Sequence, residues 1–65
     1  MDRIVRSHRF GPHQVDVVEM VDDDETAYLV LVDGVVVTGT PLPAPPGFEA
    51  VVRIYAWSRQ PAPVG

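Results

Sequence analysis

Residues 26–40 read Thr26-Ala27-Tyr28-Leu29-Val30-Leu31-Val32-Asp33-Gly34-Val35-Val36-Val37-Thr38-Gly39-Thr40, two apolar runs rich in β-branched residues on either side of Asp33-Gly34. An Asp-Gly pair in this setting marks a two-residue hairpin, because a type I′ turn needs positive φ at both central positions. The turn fixes a register in which Val32 faces Val35, Leu31 faces Val36 and Val30 faces Val37. Side chains alternate across a strand. Tyr28, Val30, Val32, Val35 and Val37 therefore share one face, and Leu29, Leu31, Val36 and Thr38 share the other. Both faces are apolar, whereas a hairpin with one solvated side would alternate apolar with polar.

Working outward, Arg3 to Phe10 reads as a first strand broken by Gly11-Pro12, and Gln14 to Asp22 as a second. In the second, Val15 and Val17 share one face while Val18 and Met20 share the other. Either the strand is buried on both sides, or a bulge near Val17-Val18 re-registers it. Asp23-Asp24-Glu25 follows as an exposed turn. Beyond the hairpin, Pro41, Pro43, Pro45 and Pro46 make Thr40 to Gly47 an extended connector that cannot pair inside a sheet.

Phe48 to Gln60 supports two readings. As a helix it has Pro-Gly before it, Pro61 after it, and apolar Phe48, Val51, Val52 and Tyr55 near helical spacing. As a strand it alternates Val52, Ile54 and Ala56 against Val51, Arg53, Tyr55 and Trp57. A connector long enough to cross the sheet favours the helix. The expected fold is a small α+β domain over residues 1–60: an antiparallel β-meander of about four strands with one C-terminal helix packed on one face. The alternative is an all-β, five-stranded SH3-like barrel with Phe48–Trp57 as its last strand. Residues 61–65 are expected to form a disordered tail.

Composition narrows the class. The chain has 65 residues, 46% hydrophobic, with no cysteine and a formal charge of -4. A domain of this size buries only about 60% of its unfolded-chain surface, and no disulfide or cysteine-held zinc can support it. No apolar run nears the ~18 residues that span a bilayer, and Met1-Asp2-Arg3 opens no signal-peptide core. A cytoplasmic, non-membrane protein is expected. All five basic residues are Arg, and seven residues are Pro, a usage that suggests a high-GC bacterial gene. Residues 14–33 hold Asp16, Glu19, Asp22, Asp23, Asp24, Glu25 and Asp33 with no basic residue. Such a stretch repels phosphate backbones and attracts a basic surface, so direct nucleic-acid binding is disfavoured.

Chemistry-bearing constellations are few. His8, His13 and Asp16 could be assembled into a metal site, but the histidines flank a Gly-Pro break and no further ligand lies at fixed spacing. Ordinary turn histidines are the better reading. Asp22 to Glu25 lacks the alternating acids and central Gly of a calcium loop, and reads as a solvated turn or a patch that steers a partner. Ser7, His8 and Asp16 could meet across the first hairpin, yet an open ribbon offers no cleft and no oxyanion donors. There is no Cys or Lys nucleophile and no phosphate loop. An enzyme is not expected, and neither is a cofactor or metal. Pro41–Pro46 has PxxP spacing but no flanking basic residue, so a rigid connector is preferred. Trp57 lies off the Val51 stripe and is either an interface anchor or a lid over the connector prolines.

The acidic turn Asp22-Asp23-Asp24, Thr26, the run Tyr28–Val32 and Pro46-Gly47-Phe48 are similar to short stretches of the MbtH-like proteins. These are small acidic partners of nonribosomal-peptide adenylation domains. The Ser-Leu-Trp-Pro segment that marks the family is replaced here by Val35-Val36-Val37-Thr38, and the N-terminal strand pair is additional. No residue role is carried over from that resemblance.

The functional expectation rests on surface. One short helix covers one face of a meander, which leaves Leu29, Leu31 and Val36, or else Tyr28, Val30, Val32 and Val37, toward solvent. A contiguous apolar patch of a few hundred Å² usually marks an interface. A small acidic interaction module is expected, a homodimer or an accessory subunit, using Leu29, Leu31, Val36 and Trp57 with Asp23, Asp24 and Glu25 steering a basic partner. The isolated chain is then expected to dimerise, associate further or aggregate. The alternative is an antitoxin-, immunity- or inhibitor-type protein whose acidic stretch fills a basic active site or nucleic-acid channel.

Overall fold

The Asp33-Gly34 turn forms with positive φ at both positions, 50° at Asp33 and 83° at Gly34. Val32 pairs with Val35 and Leu31 with Val36, and the Val37 N–H donates to the Val30 carbonyl at 2.9 Å. A computed structural model describes residues 1–59; the expected tail at 61–65 lies outside them. The strands are β1 (Asp2–Phe10), β2 (His13–Asp22), β3 (Glu25–Val32) and β4 (Val35–Val36), followed by a helix, α1 (Phe48–Ser58). They form one antiparallel sheet in the order β1-β2-β3-β4 with α1 packed on one side, the expected α+β meander. The barrel alternative does not form, because Phe48–Ser58 is helical.

Two-residue turns at Gly11-Pro12 and Asp23-Asp24 close the other hairpins, with φ of 62° at Gly11 and 53° at Asp23. Glu25, expected in the turn, instead starts β3 opposite Asp22. The second strand keeps one register against β3 throughout. The irregularity lies in its neighbour, between Ile4 and Arg6 of β1, directly across from Val17 and Val18. With Val5 as the extra residue, β1 can keep Ile4 in step with Val18 and Ser7 in step with Asp16. So β2 is not shifted: Val15 and Val17 point to the helix side, and Val18 and Met20 to the opposite side.

The last strand is shorter than the expected Val35–Thr40. Its place beside β3 is resumed by the connector, where Leu42 and Tyr28 exchange backbone hydrogen bonds of 2.8 and 2.9 Å. Prolines flank Leu42 on both sides and supply no N–H to extend the ladder. Pro46 is buried, and Gly47 opens α1 in an extended conformation with no side-chain cap. Within α1 the inward stripe is Val51, Ile54, Tyr55 and Ser58, at i, i+3, i+4 and i+7, with Val51 fully buried. Phe48 and Val52, expected on that stripe, are 55% and 37% exposed.

The core is small. Val15, Val17, Val30, Val32 and Val51 are the buried apolar residues, with Phe10, Tyr28, Val37, Leu42, Ile54 and Tyr55 packed against them. Burial of each such valine contributes about 1.5–3 kcal/mol relative to exposure. Turn geometry matters correspondingly more. Gly34→Ala places a Cβ at φ 83°, and is expected to cost about 1 kcal/mol, or a fall in Tm of about 4–8 °C, on thermal unfolding. An unchanged Tm would show that the turn does not need its left-handed geometry.

Candidate functional site

The strand registers place three apolar rows on the side of the sheet opposite α1. Ile4, Val18 and Leu29 align across β1, β2 and β3; Met20 and Ala27 align in the next row. Leu31 and Val36 extend the row on the other side, which begins with Ser7 and Asp16. Among the described residues no element packs over this face. Ile4 is 58% and Val36 48% exposed, and Val18, Met20, Ala27, Leu29 and Leu31 are half-buried by their neighbours alone. The expected residues Leu29, Leu31 and Val36 therefore share one surface, and the register adds Ile4, Val18, Met20 and Ala27 to it.

Inside these rows sits Asp16, only 9% exposed. Its Oδ1 accepts hydrogen bonds from Ser7 Oγ at 2.7 Å and Gln14 Nε2 at 3.1 Å, with a longer contact of 3.4 Å from Nε2 to Oδ2. Asp22 and Glu25 lie opposite each other at one end of the same face, flanking the exposed Asp23-Asp24 turn. The acidic turn thus forms the rim of the apolar rows. Asp23, Asp24 and Glu25 are all exposed.

Trp57 is not part of this surface. It lies on α1, 68% exposed, beside Val37, Thr38, Gly39, Leu42, Arg53 and Ile54. It stands over the connector on the helix side, so the expected patch of Leu29, Leu31, Val36 and Trp57 divides into two surfaces on opposite layers. The division follows from the strand alternation: Val30 and Val32 face the helix, which sends Leu29 and Leu31 away from it.

The sheet edges are poor alternatives for association. β1 presents exposed Arg3, Arg6 and Arg9 and carries the irregularity at Val5, both devices that discourage strand addition. β4 is two residues long.

The helix side gathers the aromatics and histidines. Phe10 lies 4.9 Å from Tyr55 and 6.2 Å from Phe48 between ring centroids, with His8 5.3 Å from Phe48 and His13 6.0 Å from Tyr55. These edge-on and tilted contacts join β1 and the start of β2 to α1. His8 pairs across with Val15 and Ser7 with Asp16, so Asp16 points to the opposite side of the sheet from both histidines. The His8, His13, Asp16 arrangement is thereby broken, as is a Ser7–His8–Asp16 relay. No metal-holding group of three His, Cys, Asp or Glu occurs among the described residues.

His13 has a different partner: its Nδ1 lies 2.6 Å from Asp33 Oδ2, while the Gln14 backbone N–H donates to Asp33 Oδ1 at 3.0 Å. These bonds, His13's first, hold the Asp33 carboxyl below its ordinary value. With the folded pKa depressed, the contact stabilises the fold above the unfolded carboxylate value of about 3.9 and is lost as pH falls through the folded pKa. His13→Ala is expected to move the Asp33 carboxyl back up in a carbon-detected NMR titration and to bring acid unfolding to higher pH. An unmoved titration would show that His13 does not hold Asp33. Further along, Glu19 accepts from Arg3 Nε and from the Tyr28 hydroxyl, each at 3.0 Å. The Glu19 bond, then burial and the Glu19 charge, push the Tyr28 hydroxyl above its ordinary value, with Arg3 opposing.

Among the described residues no helix is long and apolar enough to cross a membrane. No family model, no curated protein and no solved structure matches the chain. The short similarity to MbtH-like proteins is therefore not extended to membership.

Proposed function

We propose that this chain is a non-enzymatic protein-interaction module, an accessory subunit that seats the open face of its sheet on a larger protein. The observation that carries the reading is the set of seven apolar residues in register on a face that no element covers among the described residues. From strand spacing and rise, the three rows span about 19 Å across the strands and about 20 Å along them. That is a patch of a few hundred Å², the size that usually marks an interaction site. The blunted edges favour the face over strand addition, and the acidic rim adds long-range attraction for a basic partner.

The isolated chain is expected to bind a hydrophobic dye such as anilinonaphthalene sulfonate. It is also expected to associate without fixed stoichiometry as concentration rises, as read by light scattering after size exclusion. A monodisperse monomer that leaves the dye dark would overturn the reading. The second reading, an inhibitor of a basic site, is favoured by the unbroken exposed run Asp22 to Glu25. The two separate by charge reversal at Asp23, Asp24 and Glu25. An inhibitor loses its activity entirely, whereas docking through the apolar face is slowed in association but retained.

A further inference from the structure

We infer that the partner received by the open face carries an arginine, set in an apolar surface, that pairs with Asp16; the inference rests on reading this face as an interface. Asp16 is nine-tenths buried within the apolar rows, between Ser7 of β1 and Leu31 of β3. An ionised carboxylate has about four acceptor positions. Here Oδ1 takes two donors and Oδ2 only the 3.4 Å contact from Gln14, and all of these donors are neutral. Neither the Arg3–Glu19 ion pair nor the His13–Asp33 hydrogen bond involves Asp16.

In the free chain the remaining 9% of the Asp16 surface is open to water. Any surface that covers the rows removes that water, and a carboxylate enclosed without a cation is strongly unfavourable. A partner that brings positive charge to this point avoids that cost. Arginine suits it best, because its guanidinium is planar, weakly hydrated and can address both carboxylate oxygens from within an apolar surface.

A second copy of the chain stacked on either of the two simplest two-fold axes does not meet this need. A two-fold axis across the strands through the Ile4–Val18–Leu29 row sets Asp16 against Met20 of the copy. A two-fold along the strands between β2 and β3 sets it against Leu31 of the copy. Both leave the carboxylate enclosed against apolar atoms. The charged positions that share the face, Asp2, Asp16, Asp22 and Glu25 against Arg9, also repel their own duplicate.

The test uses the full chain and two fluorescein-labelled, 18-residue amphipathic helices with a leucine face. One carries arginine at the centre of that face and the other its neutral isostere citrulline. Fluorescence anisotropy is expected to show the arginine peptide binding about tenfold or more tightly than the citrulline peptide. Amide signals of Leu29, Leu31 and Val36 should shift on binding, and Asp16→Asn should erase the preference. The comparison on the unmodified chain stands even if Asp16→Asn fails to fold. Equal affinity for both peptides at this face would overturn the arginine and leave the interface. Absence of binding overturns it too. With a discrete dimer in light scattering, a second copy covers the face; with a dye-silent monomer, the interface reading falls as well.

Discussion

Val51→Asp is expected to leave the chain without a cooperative unfolding transition. Val51 is the only residue of α1 that is fully buried, and it meets Val15, Val17, Val30 and Val32 of the sheet. An aspartate there is enclosed with no cation described nearby, at a cost of several kcal/mol. A core this small rarely supplies more than about 3–5 kcal/mol in total. The milder Val51→Ala removes two methyl groups and is expected to cost about 2 kcal/mol. For a domain of this size that lowers Tm by about 10 °C. Circular dichroism follows the melt, and Trp57, the one tryptophan of the chain, reports the helix by fluorescence. Val52→Asp, one residue along and 37% exposed, serves as the control and should change Tm little. If Val51→Asp melts like the unaltered chain, α1 is not docked through Val51.

The second large effect concerns association. Leu29→Lys/Leu31→Lys places two cations in neighbouring rows of the open face. Each leucine forfeits about 1.5–3 kcal/mol of burial in a complex, so affinity for any apolar partner falls by more than about a hundredfold. The fold should survive, because both side chains point away from the valine core. Dye binding and self-association should disappear together, while Trp57→Ala on the other layer leaves both in place. A double variant that still associates like the unaltered chain would remove the open face from consideration.

Much of the fold was legible because local chemistry dictated it. Asp33-Gly34 specified both the turn and the pairing of Val32 with Val35, since few residues tolerate positive φ at two successive positions. The helix was legible mainly through its borders, the prolines and Gly47. Its interior, Val51-Val52-Arg53-Ile54-Tyr55, has strand-like propensity that burial of Val51 overrides. The location of the irregularity was not legible. The phase change at Val17-Val18 fits a bulge in β2 or a strand apolar on both sides. Only pairing with β1 puts the extra residue at Val5. The open face was partly legible through Leu29, Leu31 and Val36, but its other members come from strands whose register no local signal fixed.

The sequence by itself determined a hairpin apolar on both sides and an acidic middle, residues 14–33, with no basic residue. Those properties depend on residue identity and near-neighbour spacing. Only the tertiary structure decided which hairpin face is covered, that Trp57 belongs to the opposite layer from Leu29 and Leu31, and that Asp16 lies among the apolar rows. Each of these depends on contacts between residues far apart in the chain: Val51 on Val30 and Val32, Ser7 beside Asp16, Asp16 beside Leu31. A change of one residue in register would send every side chain of a strand to the other face.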